Sequence, residues 1–285
     1  MIKKYKLINQ IKHYEWGSAD ILPKFLGIRN NKKLPFAEMW MGTHRSAPSQ
    51  VRDGIKRTNL SQINGELHFL LKLLAVEKPL SLQVHPNKEQ AQEGFEREER
   101  MGFSLDDPKR NYKDKNEKNE IICAITPFTL TAANNEITLQ PFQALFIPSG
   151  TSHSYKSGFG IELMNNSDNV VRGGLTNKYI DIEEFNKIVN QNQFIPKIIT
   201  PDDSLSVFNY PIPTDEFSLT LIRKKGKNKL PICLEDMAIC IVTDGVLKIE
   251  GKKYKKGESF FIPKENKKQI TLKGNFTLFA ACGVS

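Results

Sequence analysis

The chain has 285 residues, 39% hydrophobic and 26% charged, and 41 Lys and Arg against 32 Asp and Glu give it a net charge of +9. That length and balance describe a globular protein with room for two cores of ordinary domain size, and exclude a fibrous or disordered chain. No apolar run approaches the roughly 20 residues a membrane-spanning helix needs, and Met1-Ile2-Lys3-Lys4-Tyr5 lacks the apolar region and cleavage site of a signal peptide, so a cytoplasmic location is expected.

In chain order, short β-like runs over 69–76, 120–125, 128–132, 145–148 and 160–163 are separated by Pro, Gly and Asn turns. Two helices are expected. One runs over 87–100, after the Pro86 break. The other runs over 181–189, where Asp181 can cap and Ile182, Phe185 and Val189 form an apolar stripe. The proline-containing stretch 197–213 reads as a linker. Beyond it, 246–251 reads as an alternating hairpin strand. The basic segments 223–229 and 252–256 read as hairpin loops without the interleaved aromatics of a single-strand groove, so they predict a solvated basic surface and no nucleic-acid partner. Cys123, Cys233, Cys240 and Cys282 lie in apolar stretches without metal-site spacing and read as buried thiols.

An internal echo divides the chain. The run 140–148, ending in Phe146-Ile147-Pro148, is answered by 255–263, ending in Phe261-Ile262-Pro263. Two β-barrels on one plan would explain it, with His153 of the first falling opposite Lys268 of the second. A Gly-containing turn, a strand and Phe-Ile-Pro resemble the cupin barrel. The expected fold is therefore mainly β: two cupin-type (jelly-roll) barrels with a few short helices. Residues 1–200 would form a metal-binding domain and 201–285 a barrel without ligands.

The chemistry concentrates at Leu82-Gln83-Val84-His85. Gln83 and His85, two apart on a strand, share one face while Leu82 and Val84 take the other. An amide and an imidazole on an inner face are costly to bury unless something binds them. Glu120 and His153, each at the edge of a β-rich run, are two further candidate ligands. One amide oxygen, one carboxylate and two imidazoles suit zinc, with water or substrate completing the shell.

Six segments, in order, resemble the type I phosphomannose isomerase family of the cupin superfamily. They are 14–17 (Tyr-Glu-Trp-Gly), 37–44 (Ala-Glu-Met-Trp-Met-Gly-Thr-His), 80–88, 111–120, 147–158, and 166–176 with its Ser167-Asp168-Asn169-Val170-Val171-Arg172 string. The resemblance implies a zinc enzyme interconverting mannose 6-phosphate and fructose 6-phosphate through a cis-enediol(ate), in carbohydrate metabolism and GDP-mannose biosynthesis. It implies one zinc per chain on Gln83, His85, Glu120 and His153, and Arg172 in the place of the catalytic arginine. Glu162, Lys118 and Tyr155 are implied as further catalytic positions, and Glu38, Ser81, Lys72 and Lys178 as positions around the sugar phosphate. Glu117 and Asn119 stand where the family has a histidine and a proline. Between Glu120 and His153 the chain is short, without the helical insertion of longer relatives, so a more open pocket is expected.

Moving a hydrogen between C1 and C2 requires a base for a carbon-bound proton and positive charge for the oxyanion that forms. Arg172 can supply that charge. The base stays open among Glu162, Lys118, Tyr155 and a metal-bound water. His44 is expected to line the pocket without binding metal, and His13 and His68 to be packing or surface residues. The competing readings are a non-catalytic cupin sensing a sugar phosphate, an iron cupin oxygenase and a nucleic-acid binder. The partner expected is a hexose 6-phosphate, with no membrane contact, acting on a monomer or homodimer.

Overall fold

A computed structural model describes residues 3–53, 56–190, 195–226, 229–232, 236–264 and 269–283; Cys233 and Lys268 lie outside them. The chain is mainly β, in two large antiparallel systems of 11 and 10 strands. In the first, the long strand His153–Asn165 belongs to both layers of a cupin-type barrel. Its first half pairs with Leu82–Val84 and Phe128–Ala132, its second half with Phe69–Val76 and Glu120–Ala124. Helix Lys88–Arg100 starts at Asn87, whose side chain accepts from Gln90 N in a capping box, and helix Ile182–Ile188 starts at Asp181, which caps Glu184 N.

Alternation along the central strands decides what faces what. Leu71, Leu73, Ile121, Cys123, Ile161 and Leu163 pack in one cluster with Leu219, Leu221, Ile239, Phe261 and Phe279 of the second half. Their neighbours, Glu38, Trp40, Leu70, Lys72, Leu74, Glu120, Glu162 and Met164, turn the other way and line a cavity. The cluster therefore joins the two sheet systems while the opposite face is left for chemistry. The N-terminal strand Tyr5–Ile8 belongs to the second system, where it pairs with Ser259–Ile262 and with Gln50–Asp53, so the start of the chain is built into the second sheet. That second barrel fills its own interior with Ile222, Cys240, Leu247, Tyr254, Phe260 and Leu278.

A bend in His153–Asn165 corrects the parity of its side chains. His153 and Glu162 are nine residues apart, which on a regular strand puts them on opposite faces. A register shift between Tyr155 and Ser157 inserts one residue, so His153 turns to the Glu120 side of the sheet, the side on which Glu162 lines the cavity. Gly158 sits at the bend with φ +126, where an added Cβ would stand 2.6 Å from the Pro127 carbonyl oxygen.

Three expectations change. Lys252–Lys255 is a strand rather than a loop, paired with Val246 to Ile249; Tyr254 points inward onto Phe260, ring centroids 4.3 Å apart, and the lysines point out. Arg223 and Lys224 likewise end the strand Phe217–Lys224. The stretch read as a linker carries Ile198–Ile199, paired with the first system, and Val207–Asn209, paired with the second. Its apolar residues find edge partners that a sequence pattern of prolines and aspartates conceals.

Gly158→Ala is expected to cost about 1–3 kcal/mol through backbone strain and the Pro127 clash, read as a lowered unfolding midpoint. An unchanged midpoint would mean that the bend tolerates a side chain.

Candidate metal centre and cavity

Glu120, 1% exposed, is held in place because Glu120–Ala124 pairs on both sides, with Ala144–Ile147 and with His153–Asn165. Each of its oxygens faces one imidazole: Oε1 lies 3.2 Å from His85 Nε2, and Oε2 lies 3.3 Å from His153 Nε2. The opposite ring nitrogens meet backbone carbonyls, His85 Nδ1 at 2.7 Å from Asn169 O and His153 Nδ1 at 2.9 Å from Thr151 O. A carbonyl only accepts, so each Nδ1 carries the hydrogen and each Nε2 keeps its lone pair. Two imidazole lone pairs thus confront a carboxylate in a fully buried place. Burial, with the nearby Lys118 ammonium, drives the His85 pKa down to about 3, so the ring stays neutral.

Acceptors facing acceptors at this range call for a cation among them. The ligand atoms of His85, Glu120 and His153 lie within 4.8 Å of one another. Neutral imidazoles with Nδ1–H anchored to a carbonyl, beside a carboxylate, are the donor set and tautomer that zinc takes. The residues fit the ion. Gln83 stands beside them, paired across strands with both His153 and Arg172. Its amide nitrogen is 3.2 Å from His153 Nε2 and its oxygen lies toward Ser81 Oγ at 3.4 Å; half a turn of the amide would present the oxygen instead.

Above this centre opens a cavity of about 770 Å³. Ten of the twelve residues singled out from the sequence line it: Glu38, Lys72, Ser81, Gln83, Lys118, Glu120, Tyr155, Glu162, Arg172 and Lys178. His85 and His153 complete its floor from behind. Lys118 Nζ donates to Glu120 Oε1 at 2.8 Å, and the Tyr155 hydroxyl donates to Glu120 Oε2 at 3.3 Å. Desolvation would favour the neutral Glu120 acid, but the Lys118 ammonium, the largest of the opposing influences, helps to hold the carboxyl well below its usual range.

Glu162 has the opposite balance. Burial and then the Glu120 charge raise its pKa, against the pull of Lys72 and Lys118. Lys72 Nζ bonds Glu162 Oε2 at 2.9 Å and lies 5.0 Å from the Trp40 ring. Burial alone would discharge that ammonium, yet Glu162, Glu38 and Glu120 raise its pKa instead. Lys72 therefore stands on the floor, ion-paired, whereas Lys178 lies 5.3 Å from the Tyr14 ring.

The Arg172 guanidinium has no hydrogen bond or ion pair among the described residues, and burial lowers its pKa. An arginine salt bridge to Asp168 does not form: that carboxylate accepts from His44 Nε2 at 3.1 Å and is held down at about 2, against the penalty of burial. His44 lies behind Asp168 rather than on the cavity wall, with Nδ1 accepting from Ser46 N at 3.2 Å. Tyr14 was not singled out from the sequence, although it lines the cavity and burial, then Glu38, push its hydroxyl up to about 12. Its neighbour Trp16, stacked on it at 5.8 Å, was the available signal. Glu117 faces a second, smaller cavity of about 450 Å³ alongside Glu66 and Glu216, away from the metal centre.

A family model described as phosphomannose isomerase type I, catalytic domain, matches residues 4–136. The chain is 29% identical to a mannose-6-phosphate isomerase of Salmonella typhimurium over 371 aligned positions, covering 90% of the chain and 94% of the relative. It is 28% identical to the Escherichia coli enzyme of that name, covering 95% and 97%. Among solved structures, the Salmonella typhimurium mannose 6-phosphate isomerase bound to fructose 6-phosphate and zinc superposes with a TM-score of 0.87 at 27% identity, covering 99% of this chain and 100% of that one. An alignment of 371 positions against a chain of 285 residues means that the relative carries segments absent here.

Glu120→Ala is expected to reduce zinc bound after dialysis, measured by elemental analysis, by at least about tenfold. Full zinc content in that variant would place the metal elsewhere.

Proposed function

The chain belongs to the type I phosphomannose isomerase family, and from that premise we propose that it is a zinc-dependent isomerase interconverting mannose 6-phosphate and fructose 6-phosphate. The observation that carries this reading is the set of imidazole and carboxylate donors converging at a cavity that Arg172, with no ion pair among the described residues, also lines. Gln83, His85, Glu120 and His153 would hold the zinc. The ion, when bound, supplies Lewis acidity toward the oxygens at C1 and C2.

The remaining work falls to the chain. A proton must leave the hydroxyl-bearing carbon beside the carbonyl and be delivered to the carbonyl carbon, while the hydroxyl proton passes in the same direction, to the former carbonyl oxygen. Glu162, its pKa raised by burial and Glu120, is suited to hold a proton at one stage and release it at the next. Lys118 and Tyr155 border the same floor and remain open for that task. Arg172, with no ion pair among the described residues, meets the oxyanion of the cis-enediol(ate), and partial burial strengthens that attraction relative to water. Glu38 and Ser81 are suited to hydroxyl groups of the sugar. Lys178, whose pKa burial and Arg172 lower, contributes charge toward the phosphate.

The first 200 residues carry the chemistry in this reading, and the apolar-filled second barrel supports them. We place the enzyme in the cytoplasm, as a monomer or homodimer feeding GDP-mannose biosynthesis. No helix among the described residues is long and apolar enough to cross a membrane. The excess of lysine is read as solvated surface, without nucleic acid.

A coupled assay with mannose 6-phosphate tests the reaction. Chelation should abolish turnover and zinc should restore it, whereas full activity in metal-free protein would exclude the mechanism. Arg172→Ala is expected to lower kcat about 10²- to 10³-fold with unfolding midpoint and zinc content unchanged. Undiminished kcat would reduce the arginine to scaffold. Zinc and sugar-phosphate binding without any turnover would instead favour a sensor.

A further inference from the structure

We infer that Asn169 is a positioning residue for the metal ligand His85, fixing both its tautomer and the approach of the segment that delivers Glu120. The inference rests on the zinc reading above for its affinity readout alone. Asn169 has no exposed surface. Its backbone carbonyl is the acceptor for His85 Nδ1, so whatever orients that carbonyl orients the ring.

The side chain does so with its whole bonding capacity. Oδ1 accepts from Lys113 N at 2.7 Å and from Asp114 N at 3.1 Å. Nδ2 donates to Asp114 O at 2.9 Å and to Asn116 O at 2.8 Å. An amide offers two donors and two lone pairs, and here each is matched by backbone. The amide backbone of Asn169 itself donates to Ser167 Oγ at 3.2 Å, and that hydroxyl donates to Asp114 Oδ1 at 2.9 Å. Asp114 Oδ2 in turn accepts from Asp168 N at 2.9 Å.

Residues 113–116, gripped in this way, lead directly into Lys118 and Glu120. One buried amide therefore ties the turn that directs His85 to the segment that brings in the opposing carboxylate. A side chain needed only for packing would not require four backbone partners divided between donor and acceptor. Removing it takes a partner from two N–H and two C=O groups, of which Asn116 O keeps only the 3.4 Å contact from Ser167 Oγ, and the turn must shift to satisfy the rest.

The test uses full-length protein freed of zinc, as wild type, Asn169→Ala and Asp114→Asn. Long-range proton–nitrogen NMR of the imidazole reads the tautomer of His85, competition with a chromophoric chelator reads zinc affinity, and thermal unfolding of the zinc-free protein reads stability. Wild type should show His85 with the hydrogen on Nδ1. Asn169→Ala should show both tautomers and a zinc affinity about 10- to 100-fold lower. Asp114→Asn loosens the same clamp by a smaller step, and it carries the test should Asn169→Ala fail to fold, with a loss toward the low end of that range.

A lower unfolding midpoint with the His85 tautomer retained and zinc affinity within about twofold of wild type would make Asn169 purely structural and overturn the inference. Wild-type protein that takes up no zinc would sink the zinc reading instead, while the tautomer comparison would still decide the role of Asn169.

Discussion

Two hydrogen bonds to backbone carbonyls, His85 Nδ1 to Asn169 O and His153 Nδ1 to Thr151 O, set the terms for everything around them. They place both imidazole lone pairs against the two oxygens of Glu120, in a space closed to water. Acceptors crowded against one another in low dielectric are expensive. The arrangement makes sense as a receptacle for positive charge. Lys118 contributes some of it through its contact with Glu120 Oε1, and a divalent cation completes the balance.

From that constraint the electrostatics of the cavity follow outward. Glu120 stays ionised because cationic and polar neighbours surround it. Its charge then raises the pKa of Glu162, already elevated by burial. Lys72 is pinned by Glu162, whereas the Arg172 guanidinium has no ion pair among the described residues. Carboxyls of the same type thus acquire different proton affinities a few ångströms apart through position alone. The fold makes the arrangement possible by giving the central strands one apolar face, spent on the second barrel, and one polar face, spent on the cavity.

How much of this was legible in the sequence depended on range. Local signals read cleanly: the Asn87 and Asp181 caps, the strand over 69–76, and the paired echo ending in Phe-Ile-Pro all appear as elements. Strand alternation pointed to Gln83 and His85, and the edges of β-rich runs to Glu120 and His153; the other eight site residues were reachable only through the family resemblance. His153 and Glu162 show why. Their separation has the wrong parity for a common face, and only the bulge before Gly158 corrects it. Tyr14 and the buried clamp at Asn169 escaped for a related reason: Tyr14 meets Lys178 from far along the chain, and Asn169 grips the backbone of residues 113–116, where sequence leaves no mark. The basic segment 252–256 misled by composition, because one inward tyrosine in four positions is enough to make an edge strand.

X-ray absorption at the zinc edge, on protein reconstituted with one equivalent of metal, addresses the centre most directly. The account predicts a shell of nitrogen and oxygen at about 2.0–2.2 Å, with outer scattering from two imidazoles, and loss of one imidazole contribution in His153→Ala. A sulfur-containing shell, or an unchanged two-imidazole spectrum in that variant, would contradict it.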